Sequence, residues 1–112
     1  MAVTEYYDAA DVRKFDEIGR CAPELAKRFF DWYRVVFEEG ALSEREKALI
    51  ALAVAHVKQC PYCIDVYTKT CLEKGADLEQ MTEALHVASA LSAGSCLIHG
   101  LQMRRRAEQL GM

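Results

Sequence analysis

Pro61 constrains this chain more than any other residue. It follows a run, Lys47 to His56, that is apolar nearly all the way round and contains no helix breaker. A proline inside a helix removes an amide donor and clashes with the preceding turn, whereas in the first turn it costs nothing. One helix must therefore close before Pro61 and another must open there, with Cys60 at or near its N-cap. Cys63 then falls one turn later on the same face of the new helix, so two thiols stand together at a helix N-terminus.

The other segments also read as helices. Ser43, followed three residues later by Glu46, is a capping-box pattern that starts the apolar run, and a helix apolar on nearly every side is expected to be buried. The Cys60 helix is expected to reach about Lys74, with Gly75 closing it. Upstream, Pro23 suits a first turn, and Leu25, Ala26, Phe29, Phe30, Tyr33, Val36 and Phe37 form one broad apolar stripe that Gly40 ends. Downstream, Asp77 and Gln80 open a helix through Met81, Leu85, Val87, Ala88 and Leu91. Gly94 reads as its stop, and Ala93-Gly94-Ser95 as the joint to a last helix ending near Gly111. The segment before Pro23 reads as a loosely ordered start. No alternating β-branched run, internal repeat or low-complexity tract appears. The expected fold is all-α: a compact helical bundle of about five to six helices, one domain over residues 1–112, with its core motif region at 43–75.

Composition excludes several classes of function. A chain of 112 residues, 52% of them apolar, suits one core and leaves no room for a second. The net charge is −3 and the one dense basic run is Arg104-Arg105-Arg106, so no broad cationic face is expected to meet nucleic acid. Met1 to Asp11 carries Glu5, Asp8 and Asp11 and does not read as a secretory signal. No apolar stretch is expected to approach the roughly 20 residues that span a bilayer. These readings predict a soluble, cytoplasmic protein with no membrane or nucleic-acid partner.

Five cysteines, an odd number without an export signal, argue against a disulfide-stapled scaffold and for redox or metal chemistry. Structural zinc needs a second ligand pair, which Cys21, Cys71, Cys96, His56, His86 and His99 do not supply at comparable spacing, so no metal or cofactor is expected and zinc stands as the alternative. At a helix N-terminus, unpaired amides and the macrodipole favour a thiolate, and Lys58 acts in the same sense if it points that way. A three-residue spacing also lets a disulfide open and close with little backbone movement. Cys60 and Cys63 are thus read as a reversible redox pair. Tyr67 and Cys71 extend their stripe. Tyr67 is either a hydrogen-bond donor to a thiolate or peroxide oxygen or a core aromatic, and Cys71 is read as a buried small hydrophobe. His56, four residues before Cys60, is either a base for a thiol or a histidine bonded to a backbone carbonyl. Glu46 is either a proton relay or only a cap, and His86 and His99 are read as structural.

The stretch Leu49-Ile50-Ala51-Leu52-Ala53-Val54-Ala55 followed by Cys60-Pro61-Tyr62-Cys63 resembles the alkylhydroperoxidase D and carboxymuconolactone decarboxylase superfamily. The match is close from Ser43 to about Thr70, and the pattern of Asp77 to Leu97 is similar to the helical segment downstream of the motif in that superfamily. The resemblance implies an all-α fold assembling as homotrimers or homohexamers, with the cysteine pair beside a subunit interface. It also implies reduction of a hydroperoxide substrate through a sulfenic acid and a disulfide, with a dithiol such as a lipoyl group as reductant. The overall pattern is also similar to a peroxidase-like subgroup associated with arsenosugar biosynthesis.

This chain departs from the peroxidase members at three positions. Their glutamate before the apolar run is Ala48 here, with Glu46 the nearest acid. Their histidine four residues after the second cysteine is Tyr67, and the histidine inside the motif of the best-known member is Tyr62. The family's proton relay does not carry over, which makes His56 the candidate to stand in for it. The leading expectation is a thiol-dependent peroxidase. The alternatives are a disulfide reductase or metalloid- or sulfur-handling redox protein using the same dithiol, and a non-catalytic oligomeric metal- or ligand-binding module. Lactone decarboxylation, which needs groups for a carboxylate rather than a thiol pair, ranks last.

Overall fold

The computed structural model describes residues 8–111, so the Met1–Tyr7 part of the expected loose start lies outside the described residues. From Ala9 the start is not loose: a 3₁₀ helix runs Ala9–Cys21, and the Asp8 side chain caps it by accepting from the Ala10 amide. Val12 and Phe15 lie one 3₁₀ turn apart and so share a face. Phe15 packs edge-on against Phe29 and Phe30, with ring centroids 6.2 and 5.1 Å away. The approach is close enough that a Cβ on Gly19 would lie 2.7 Å from that of Ala26, so glycine is required there.

Four α-helices come next: α1 Pro23–Phe37, α2 Glu44–Val57, α3 Pro61–Glu73 and α4 Leu78–Gln109. The all-α bundle is as expected. The helices start where the sequence placed them: α1 on Pro23 without a side-chain cap, the other three α-helices on capping side chains. Ser43 and Glu46 form the full reciprocal box on α2, and Asp77 and Gln80 do the same on α4. The expected break at Gly94 does not occur, because α4 continues through it. One interior glycine costs about 1 kcal/mol relative to alanine, whereas ending and restarting a helix strands four backbone groups on each side of the break. Ala93 and Ser95 offer no proline to force that exchange.

The core sits where α2 crosses α3 and the base of α4. Ala48, Leu52, Tyr67, Cys71, Ala76 and Met81 are buried together, and Tyr33 and Phe37 of α1 pack against them. The expectation that α2 is buried all round is corrected. Ala48, Leu52 and Ala55 are buried, but Ile50 and Val54 on the other side are 52% and 51% exposed. Within one chain, α3 and α4 cover α2 from one side only.

Past Leu85, α4 leaves the core, and Val87, Leu91, Leu97, Ile98, Leu101 and Met103 are exposed. This extension gives a radius of gyration of 19.0 Å, against about 13 Å for a closed domain of ~100 residues. Residues 84–103 carry no Asp, Glu, Lys or Arg. By length and composition α4 is the one helix among the described residues apolar enough to cross a membrane, which corrects the reading that no stretch is long enough.

The joint between α2 and α3 positions the cysteines. Gln59 adopts a left-handed backbone with φ 54°. Its amide bonds to the His56 carbonyl at 3.1 Å, and the Cys60 amide bonds to the Ala55 carbonyl at 3.1 Å. This is the paired closure that usually employs glycine, as Gly75 does at the end of α3 with φ 88°. A left-handed conformation costs a non-glycine residue about 1–2 kcal/mol, while glycine gives back about 0.5–1 kcal/mol in unfolded-state entropy. Gln59→Gly is therefore expected to raise unfolding free energy by about 0.5–1 kcal/mol in urea titrations, with Gln59→Ala near neutral.

Candidate active site

Cys60 is the N-cap of α3, and its Sγ accepts from the Cys63 amide at 3.3 Å. The two Sγ atoms are 2.8 Å apart, and both residues are half-buried free thiols. The sulfurs do not share one acidity. A hydrogen bond from the Cys63 side chain, helped by the Cys63 and Tyr62 amides, outweighs burial and holds the Cys60 thiol below the ordinary thiol range. Burial first, then the hydrogen bond and charge of Cys60, push Cys63 up to about 11. Cys60 is thus the more readily ionised sulfur of the pair, and Cys63 the one that holds its proton. Cys71, deeper in the same stripe, is buried and has its thiol pushed up by that burial, as expected of a core residue.

Both sulfurs open onto one apolar cavity of about 520 Å³. Its walls are Val12 and Phe15 of the 3₁₀ helix, Phe30 and Tyr33 of α1, and Tyr62, Val66 and Tyr67 of α3. The Tyr62 hydroxyl donates to Asp11 Oδ2 at 2.9 Å, tying the 3₁₀ helix to the first turn of α3. The Tyr33 and Tyr67 hydroxyls hydrogen-bond to each other, and Phe37 stacks on the Tyr67 ring with centroids 5.2 Å apart. A second cavity of about 580 Å³ lies between α1 and the outer face of α2. Tyr33, Tyr67, Val54, Lys58 and Cys63 line it, but Cys60 does not.

Of the residues singled out in the sequence, the structure brings together Cys60, Cys63 and Tyr67. His56 lies elsewhere. Its Nδ1 is 2.8 Å from the Leu52 carbonyl oxygen, and it lines a separate hollow with Gln59, Pro61, Ile64, Asp65 and Thr68. Glu46 is at the far end of α2, where hydrogen bonds from Ser43 occupy its carboxylate and lower its pKa. His99 bonds to the Ser95 carbonyl in the exposed part of α4. Among the described residues no three His, Cys, Asp or Glu side chains converge as metal ligands would.

The sequence reading missed Asp11, Phe15, Phe30 and Tyr33 as parts of the site. Phe30 and Tyr33 were visible only as members of an apolar stripe. A phenol inside such a stripe does carry one usable signal, since a buried hydroxyl needs a partner, but the partner lies 34 residues away in sequence.

A model of the carboxymuconolactone decarboxylase family matches residues 23–103. Among curated proteins, the chain is similar to uncharacterized protein 4 in the cox locus of Paracoccus denitrificans, with 43% identity over 83 residues, covering 74% of this chain and 75% of that protein. It is also similar to an uncharacterized protein of Cupriavidus necator, 29% identical over 82 residues and covering 73% of each. Among solved structures it is similar to the crystal structure of a protein from Methanobacterium thermoautotrophicum. The TM-score is 0.71 at 32% identity, covering 80% of this chain and 97% of that one.

The unequal sulfurs give a measurable pH dependence. Alkylation of Cys60 by iodoacetamide, followed by peptide mass spectrometry, is expected to rise with pH through a midpoint below that of an ordinary thiol and then level off. Cys63→Ala removes the donor that stabilises the thiolate, so the midpoint moves up.

Proposed function

We propose, from the premise that the chain belongs to the carboxymuconolactone decarboxylase family, that it is a dithiol peroxidase of the alkylhydroperoxidase D kind. The observation that carries this reading is the cysteine pair itself: two sulfurs 2.8 Å apart at a helix N-terminus, with pKa values displaced in opposite directions, facing one apolar cavity. In this reading the Cys60 thiolate attacks the terminal oxygen of a hydroperoxide, forming an S–O bond and breaking the O–O bond. The alcohol leaves and Cys60 becomes a sulfenic acid. The Cys63 thiol then condenses with it, forming the disulfide and releasing water. A small dithiol of the lipoyl type returns the pair to its reduced state by exchange. The assignment of attack to Cys60 rests on its lowered pKa and its place at the N-cap.

The same reading includes assembly into a homotrimer or homohexamer in the cytoplasm. The exposed apolar residues of α4 and the uncovered side of α2 support it, since contiguous apolar surface of that extent marks an interaction site. His86 and His99 within the uncharged run of α4 favour a subunit interface over lipid, where ionisable groups are rare. Light scattering on the purified protein is expected to give three or six times the 12.6 kDa chain mass.

Peroxide consumption with dihydrolipoamide as reductant tests the activity. Turnover is expected in the parent, with a Cys60–Cys63 disulfide after oxidation, and is expected to fall by about 100-fold or more in Cys60→Ser and Cys63→Ser, the loss typical of removing a chemical group from a catalytic unit. A parent that forms the disulfide but consumes no hydroperoxide instead supports disulfide or metalloid chemistry at the same pair.

A further inference from the structure

The peroxidase step needs a proton that neither sulfur provides. When the Cys60 thiolate takes the terminal oxygen, that oxygen keeps its hydrogen in the sulfenic acid, and the electron pair of the O–O bond goes to the second oxygen, which leaves as an alkoxide. The Cys63 proton is used later, in the water released when the disulfide closes. An alkoxide is a poor leaving group in an apolar cavity, so a donor beside it lowers the barrier. His56 lines a different hollow, and Glu46 is held in a cap at the far end of α2.

We propose that the paired hydroxyls of Tyr33 and Tyr67 supply this proton, making them the acid of the site. Both residues line the cavity onto which Cys60 and Cys63 open. The two hydroxyls hydrogen-bond to each other, which uses one of their two protons and leaves the other for a third acceptor. The geometry is over-determined: Tyr67 is 7% exposed, one turn beyond Cys63 on α3, and stacked on Phe37, while Tyr33 is held by Phe29 and Phe37. Burial pushes the Tyr67 phenol pKa upward, so its hydroxyl keeps its proton and remains a donor at neutral pH. In the step, the leaving alkoxide takes the free hydroxyl proton, the mutual hydrogen bond shares the resulting charge, and water restores the proton. The net change is Cys60 thiolate plus hydroperoxide plus one proton, giving sulfenic acid plus alcohol. This assignment rests on the peroxidase reading above and adds two residues to it, one of them from a helix outside the cysteine motif.

The test compares oxidants by what their leaving group requires. Pre-reduced parent, Tyr33→Phe, Tyr67→Phe and the double variant react in single turnover with tert-butyl hydroperoxide, with peracetic acid and, as a thiolate control, with iodoacetamide. An alkoxide needs a proton, but acetate and iodide do not. The double variant is expected to lose at least about tenfold with the hydroperoxide while staying within about twofold with the other two reagents. Each single variant, which retains one hydroxyl, should show a smaller loss of the same selectivity and preserves the test if the double variant folds poorly. Equal losses with all three reagents, or none with any, overturn the assignment alone. A parent that reacts with peracetic acid and iodoacetamide but with no hydroperoxide overturns the peroxidase reading and this assignment with it.

Discussion

The structure hangs on the three residues that join α2 to α3. Lys58 ends one helix, Gln59 turns the backbone left-handed, and Cys60 both closes the first helix and caps the second. The Cys60 amide bonds back to Ala55, and its carbonyl accepts from Ile64 at 2.9 Å. A cysteine whose amide and carbonyl are both committed in this way has little freedom except at its side chain. The thiol is consequently the one group of Cys60 left to do chemistry, and its direction is set by two helices instead of by a flexible loop.

The same joint fixes the core. Because α3 starts immediately, it lies back along α2, and Tyr67 and Cys71 are carried into contact with Ala48 and Leu52. Three cysteines on one helix face then find three environments. Cys60, at the end, meets amides and a thiol donor. Cys63, one turn in, is partly desolvated, and Cys71 is sealed in the core. A single stripe of identical residues is thus sorted by depth into a thiol with a lowered pKa, a partner with a raised one and a buried packing element.

Local signals in the sequence located the parts of the molecule that are built locally. The Ser43–Glu46 and Asp77–Gln80 boxes, Pro23, Pro61 and Gly75 each act within four residues, and the helix starts and the closure of α3 lie where they were expected. The readings that needed correction depended on competition or on distant partners. Gly94 looked like a stop because its own preference was weighed without the cost of recapping α4. The apolar roundness of α2 said that the helix wants cover on every side, but not that one chain provides it on only one. The 3₁₀ helix escaped notice because its packing partners, Phe29 and Phe30, belong to the next helix. Tyr33 was legible as core but not as half of a hydroxyl pair, since nothing near it in sequence reports Tyr67.

The family match begins at Pro23 and therefore includes both cysteines, Tyr33 and Tyr67, but not the 3₁₀ helix that contributes Val12 and Phe15 to the cavity. The two parts are joined at Asp11 and Tyr62, and Tyr62 sits inside the cysteine motif. A residue between the two thiols is thereby used to hold an outer wall over them. The hydrogen bonds that join the two sulfurs, the Cys63 amide and the tyrosine pair all lie within residues 33–67. The 3₁₀ helix adds Val12 and Phe15 to an aromatic, largely uncharged enclosure over the sulfurs, and enclosures of that kind favour apolar over hydrated molecules. In this chain the two sulfurs and the tyrosine pair belong to the segment that matches the family, and Val12 and Phe15 of the cavity wall to the helix that precedes that match.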